Sequence, residues 1–241
     1  MAFPPADLDC PDPQGCPVAT ALPRLRTTTL RAGTPMYRVY NAAWGYDEHN
    51  PGYGDARFSP IDDPATGTRL PSMYLAATPA AALLETVFHS VFPSGRAPGG
   101  RIIYERDLRG KLLAHLRVPA AATLADLRDP ELSRLGLTRP QVVSSPAEHY
   151  PCTRRLSIYA LRQPRRGRQL SGLIWHSRQA ELADTEPVEV VVLFGDPRYP
   201  AGRGSWPLFG PGASSVYDGP GRLLVDEIAE NLGAMLELDD A

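Results

Sequence analysis

The sequence predicts a mixed α+β fold on three observations. Strand-like segments outnumber helical ones, and the two do not alternate as they would in a doubly wound parallel sheet. In addition, 21 Gly and 26 Pro in 241 residues argue for long, stiffened loops and against a helical bundle. The expected architecture is mainly antiparallel sheet with helices packed on it. A hydrophobic share of 43% with 22% charged residues excludes wholesale disorder. The net charge of −2 gives no reason to expect nucleic acid as a direct partner. No apolar run approaches the roughly 18 residues of a membrane span. The first twenty residues carry Asp7, Asp9 and Asp12, without the basic start and apolar stretch of a secretory signal. A soluble, cytoplasmic protein with no membrane contact is therefore expected. The cysteines Cys10, Cys16 and Cys152 are too sparse for a disulfide framework, and no Cys-x-x-Cys or His-x-x-x-His spacing suggests a metal site.

Taken in order, residues 1–33 read as a Pro-rich extension, because Pro at 4, 5, 11, 13, 17 and 23 interrupts regular structure. Met36-Tyr37-Arg38-Val39-Tyr40 is aromatic and β-branched, which predicts a strand. Residues 44–53 form a Gly-, Asn- and Asp-rich loop. Gly54–Ser59 reads as a short strand or strand edge, and residues 60–71 as a further loop. Ser72–Ala77 is the next strand. A helix follows, with Thr78 as N-cap and Pro79 at the first helical position, where its missing N–H is harmless. Leu84, Val87, Phe88 and Val91 share its buried face, and it should end before Pro93. Arg101–Asp107 and Leu112–Val118 read as strands, and Pro151–Arg162 as a helix with Leu156, Tyr159 and Ala160 inward. Leu173-Ile174-Trp175 and Val188–Phe194 are strands. A last helix over Leu223–Leu236 presents Leu224, Ile228 and Leu232 to the core.

Several residues could carry chemistry. Glu85 sits at the edge of the apolar stripe of its helix, beside Ala81 and Ala82, whose small side chains would let a ligand approach the carboxylate. The alternative is a solvated glutamate paired with His89 four residues on. Arg38 and Arg57 lie among aromatic neighbours, and two guanidinium groups near one cleft would grip phosphate oxygens. Arg162, Arg165, Arg166 and Arg168 form a basic loop that is either solvated or docks an acidic partner. Ser177 follows an apolar strand. Its neighbour His176 would point to the opposite face, and the Gly-x-Ser-x-Gly nucleophile motif is absent, so a serine hydrolase is disfavoured.

Together, Tyr37-Arg38-Val39, Gly54-x-x-Arg57-Phe58-Ser59, Tyr74-Leu75-Ala76 and Ala82-Leu83-Leu84-Glu85 resemble the RES-domain family. The segment Gly172-Leu173-Ile174-Trp175-His176-Ser177-Arg178 and the strand after it extend that resemblance over residues 34–196. These proteins are the toxins of RES–Xre toxin–antitoxin pairs. The resemblance implies an ADP-ribosyltransferase-like fold that consumes NAD by cleaving the nicotinamide–ribose bond and passing ADP-ribose to water, phosphate or a protein. On this reading Glu85, Ser177, Arg57 and Tyr74 are catalytic. Arg38, Tyr37, Arg57 and Tyr74 bind NAD, which is the substrate, and no metal is needed. Trp175 stands where the family often has tyrosine, and His176 where it often has proline. The implied partner is an Xre-family DNA-binding antitoxin, with self-association allowed. Residues 1–33 would then be an extension, 34–196 the NAD-binding catalytic domain, and 197–241 a loop and helix packing on it. Three rivals stand beside this reading: a non-catalytic ADP-ribose or NAD-binding module, a docking protein built on the arginine loop, and a hydrolase pairing Ser177 with His115 or His149.

Overall fold

The computed structural model describes residues 22–89, 102–163, 169–183 and 186–238. The chain begins with β1 (Thr27–Leu30), β2 (Pro35–Asn41), the two-residue strands β3 (Ile61–Asp62) and β4 (Arg69–Leu70), β5 (Ser72–Ala76) and α1 (Pro79–Leu84). It continues through β6 (Ile102–Tyr104), β7 (Lys111–Arg117), β8 (Ala122–Asp126), α2 (Glu131–Arg134), α3 (Arg139–Val142) and α4 (Tyr150–Leu161). It closes with β9 (Gly172–His176), α5 (Arg178–Leu182), β10 (Glu189–Phe194), β11 (Leu208–Ser215), α6 (Gly219–Leu232) and β12 (Met235–Glu237). Eight strands form one sheet in the order β1-β8-β9-β10-β5-β2-β7-β11. Its neighbours are antiparallel except β8 and β9, which run parallel. The fold is thus mixed α+β with a mainly antiparallel sheet.

The strands alternate between two cores. Tyr74 and Ala76 of β5, Leu173 and Trp175 of β9, and Val190 and Val192 of β10 face a cluster that also takes side chains from all of α1 to α6. Met73, Leu75, Ile174, Val191 and Leu193 face the other side, where the segment carrying Tyr199, Ala201 and Trp206 covers them. Both faces of the central strands are therefore buried, which explains why their sequences are apolar runs rather than alternating ones. Between β9 and β10 the backbones come so close that a Cβ at Gly172 would lie 1.9 Å from the Val192 carbonyl oxygen. No side chain fits there.

Local signals account for most element boundaries. Thr78 caps α1 by accepting the Ala81 N–H at 3.1 Å, with Pro79 in the first turn. Gly233, at φ 59°, ends α6 in the left-handed conformation. Four expectations need correction. The α1 helix ends at Leu84 rather than running on to Pro93: residues 85–89 are turns, with Val87 and Phe88 still buried, while Val91 lies outside the described residues. Gly54–Ser59 is a loop rather than a strand, whereas residues 60–71, expected to be a loop, contain the β3–β4 hairpin. Glu105–Asp107 is a 3-10 turn rather than strand. Finally, regular structure begins before residue 34. The β-branched run Thr27-Thr28-Thr29-Leu30 forms β1 at the sheet edge, and Leu22 and Leu25 reach the core. Residues 208–215 likewise add β11 to the opposite edge, and Met235–Glu237 leaves the end of α6 as strand β12.

Candidate active site

The sheet is split between β2 and β5. Strand β2 pairs with β7 along all seven of its residues and β5 with β10 along all five, yet between β2 and β5 Tyr37↔Ala76 is the single registered pair. From there the two strands diverge. The chain leaving β2 closes the far end of the gap, where Asn50 and Ser72 exchange backbone hydrogen bonds of 2.8 Å each. The resulting cavity, about 580 Å³, runs along the facing edges of β2 and β5. Residues from both faces therefore line it: Tyr37, Tyr74 and Trp175 from the helix-covered side, Arg38, Tyr40 and Leu75 from the other. Its size is within the roughly 300–1,000 Å³ of small-ligand sites.

Glu85 lies at one end, half-buried, as the residue that caps α1 at its C-terminus. Ser177, wholly buried, caps the N-terminus of α5 directly after β9. Its hydroxyl donates to Glu85 Oε1 at 2.6 Å and accepts the Ala180 N–H at 3.0 Å. The serine therefore fixes the carboxylate and leaves Oε2 without a protein partner among the described residues. Ala82 lines the cavity with Glu85, as does Ala76 of β5, whereas Ala81 packs into the core. His89 does not bond Glu85, although the carboxylate's charge reaches it; burial, opposed by that charge, holds the imidazole below its ordinary pKa.

Arg57 is locked by one nitrogen. Its Nη1 donates to the carbonyls of Val142 (3.0 Å) and Ser145 (2.9 Å) and to Ser145 Oγ (2.7 Å), while the guanidinium lies 5.1 Å from the Tyr150 ring centroid. Nε and Nη2 have no protein partner among the described residues. Burial lowers its pKa, an effect opposed by the charges of Tyr150 and Glu85. The loop that carries it is held from behind by α4. Thr153 Oγ1 donates to the Arg57 carbonyl, Ser157 Oγ to that of Phe58 (3.2 Å), and Arg154 Nε to those of Ala56 and Ser59 (3.2 Å each), with an ion pair from Arg154 to Asp55. These side-chain bonds replace a strand ladder, which is why residues 54–59 do not form one. They also explain how Thr153, Arg154 and Ser157 can be buried.

Tyr74 contributes a ring rather than a free hydroxyl. Its oxygen accepts the Phe58 N–H (3.3 Å) and pairs with Ser59 Oγ (3.1 Å), and burial pushes its pKa up to about 12. The Trp175 ring packs edge-on against it at 6.1 Å and against Phe58 at 4.7 Å. Tyr37 lines the cavity next to His115, 4.9 Å between ring centroids. Arg38 stands apart from Arg57. It projects from the opposite face of β2, donates through Nη1 to the Tyr46 carbonyl at 2.7 Å, and burial lowers its pKa to about 10. Its charged neighbours are Asp47 and Glu48, whereas those of Arg57 are Glu85 and Arg178. The two arginines thus occupy separate stations along the cavity rather than a single fork. Arg165, Arg166 and Arg168 lie outside the described residues. Sequence reading missed Ser145, Tyr150, Thr153 and Arg154. The available signal was Thr153 and Ser157 on the same helical stripe as Leu156 and Ala160.

Among the described residues no group of three or more His, Cys, Asp or Glu side chains could hold a metal ion. No helix among them is long and apolar enough to cross a membrane.

A mainly antiparallel sheet, split so that a carboxylate and a guanidinium line one cavity, places the chain among mixed α+β proteins with a site between two strands. Within that class the family is specific: the model of the RES domain matches residues 29–204, and the chain belongs to the RES-domain family. Among solved structures, a chain of the "M.tuberculosis MbcT-MbcA toxin-antitoxin complex" has the same fold, with a TM-score of 0.53. The two are 16% identical, and the match covers 83% of this chain and 92% of that one. A comparison with curated proteins gave no match.

Proposed function

We propose that this protein is a RES-type toxin that consumes NAD, cleaving the nicotinamide–ribose bond and passing ADP-ribose to water, phosphate or a protein. The observation that carries the reading is the Ser177–Glu85 hydrogen bond of 2.6 Å beside the cavity. When the C1′–N bond breaks, its electron pair leaves with neutral nicotinamide, and positive charge develops on the ribose. A fixed carboxylate facing that charge lowers the barrier because it needs no reorientation. The unpartnered Oε2 is placed to accept from a ribose hydroxyl or from the attacking water. The acceptor oxygen then bonds C1′ and passes its proton to Glu85 Oε2, which releases it to solvent. Nε and Nη2 of Arg57 are the donors for pyrophosphate oxygens. Tyr74 and Trp175 wall the nicotinamide end, and Tyr37 and Arg38 line the path towards the other end.

Family membership supports a growth-inhibiting role in the cytoplasm, held in check by an Xre-type antitoxin that contacts DNA in place of this chain. The solved protein that shares the fold comes from a complex described as toxin and antitoxin. A serine hydrolase is not favoured: the Ser177 hydroxyl is directed at Glu85, and His115 packs between Tyr37 and Phe209.

The test is NAD consumption by purified protein, followed by mass spectrometry of the products. Glu85→Gln should slow it by about 10²–10³-fold, the range for removing one preorganised electrostatic group. Undiminished turnover in Glu85→Gln, or none in the wild type, refutes the proposal.

A further inference from the structure

Two aromatic side chains that line the cavity belong to neither apolar core. Trp44 is 47% and Tyr53 58% exposed, and among the described residues they are the exposed aromatic side chains. Both line the cavity, and their ring centroids are 6.0 Å apart at an interplanar angle of 40°. Each sits on a turn closed by an asparagine. Asn41 accepts the Ala43 N–H through Oδ1 and the Trp44 N–H through its carbonyl, both at 2.9 Å; Asn50 Oδ1 accepts the N–H groups of Gly52 and Tyr53 at 2.9 and 2.8 Å. The rings are therefore held as an open corner on ordered backbone.

Strand register locates this corner relative to Glu85. Ser177 follows His176, which pairs with Glu189, and Val190 pairs with Ala76, so the Glu85–Ser177 pair lies at the Ala76 end of β5. Asn50 is paired to Ser72, at the other end. Four steps of strand, from Ser72 to Ala76, separate the two ends, roughly 13 Å. Arg38, on β2, lines the cavity between them and supplies a second cation, besides Arg57, for an anionic linker.

We propose that Trp44 and Tyr53 form the binding corner for the heteroaromatic base, adenine, at the far end of the dinucleotide. This rests on the NAD reading above, which places the ribose that reacts at Glu85. A ligand with one reacting ring, a central anionic linker and a second flat ring matches the order carboxylate, cation, aromatic corner. Bases stack on aromatic faces without needing a hydrogen-bond pattern. An apolar segment of a protein partner is the competing occupant.

The experiment compares NAD with nicotinamide mononucleotide, which keeps the scissile bond and lacks the adenylate half. Trp44→Ala and Tyr53→Ala should each raise KM for NAD about tenfold with kcat unchanged, since stacking of a remote base is felt equally in ground and transition state. Trp44→Phe should restore most of the loss. For nicotinamide mononucleotide neither variant should change kcat/KM. An unchanged KM for NAD, or an equal loss with both substrates, overturns the proposal. Failure of the underlying function reads differently, as a wild type that cleaves neither substrate. Titration calorimetry with ADP then decides the corner without turnover: binding weakened about tenfold by Trp44→Ala upholds it, while wild-type protein that does not bind ADP overturns it.

Discussion

On the helix-covered face of the sheet the buried residues include Thr153, Arg154, Ser157, Ser177 and Gln179; on the opposite face Met36, Met73, Leu75, Leu116, Val191, Leu193, Tyr199 and Trp206 pack with almost no polar group beyond ring hydroxyl and indole N–H. Those two are satisfied by the Ala120 and Ala201 carbonyls, at 2.7 and 3.2 Å. Polar side chains are costly to bury, and a net hydrogen bond returns only about 0.5–1.5 kcal/mol. Their concentration behind Arg57 and beside Glu85 shows where the fold holds geometry rather than gaining stability. The apolar face does the reverse: it holds the sheet together and, apart from Arg38 with its neighbours Asp47 and Glu48, brings no charged group to the cavity among the described residues.

This division can be broken by substitution. The largest expected effect is Trp206→Ala, which removes a buried indole from the apolar face and should lower unfolding stability by about 3–5 kcal/mol. Turnover per folded molecule should hardly change. A loss of activity in protein shown by denaturant titration to be folded would erase the distinction between the faces.

A second test uses the contact that joins the two regions. Arg198, in the segment covering the apolar face, pairs through Nε and Nη2 with Asp63 at 2.9 and 3.0 Å and through Nη1 with the carbonyl of Leu161 at the end of α4 (3.0 Å). Burial pushes the Asp63 carboxyl up, but the bonds from Arg198 and from the Ala65 and Thr66 amides outweigh it and hold the pKa below its ordinary 3.8. The stabilisation is therefore complete above that value and lost as pH falls through it towards the lower folded pKa. Unfolding curves between neutral and about pH 3 should show this loss, and Asp63→Asn should flatten it. An equal acid slope in both proteins would mean that other carboxylates carry the effect.

The smallest expected effect sharpens the comparison most. Thr153→Val keeps shape and removes the bond to the Arg57 carbonyl, at about 0.5–1.5 kcal/mol. If α4 positions Arg57, KM for NAD should rise several-fold while kcat holds, and Thr153→Ser should rescue it. A change in melting temperature with no change in KM would reduce α4 to a structural support.

Much of this was legible in the chain. The Thr78-Pro79 start and the apolar strands 173–175 and 188–194 come from short-range patterns, whereas Glu85, Arg57 and Ser177 stood out through the resemblance to a family pattern rather than through any one of their surroundings. Other features were hidden for identifiable reasons. Proline density masked the β-branched run that makes β1. Residues 54–59 have strand-like composition, but their carbonyls are claimed by Thr153, Arg154 and Ser157, roughly a hundred positions away. Arg38 and Arg57 looked like a pair because both sit among aromatics, whereas the alternation of β2 turns Arg38 to the face away from Tyr37.

What the amino-acid order determined unaided was periodicity, caps and the inventory of reactive groups, because these depend on neighbours within a few residues. Tertiary structure alone decided that Ser177 bonds Glu85 across 92 positions and that the sheet opens between β2 and β5. Both outcomes depend on which strands lie side by side and in what register, and register is set by the burial of two whole faces at once rather than by any local segment.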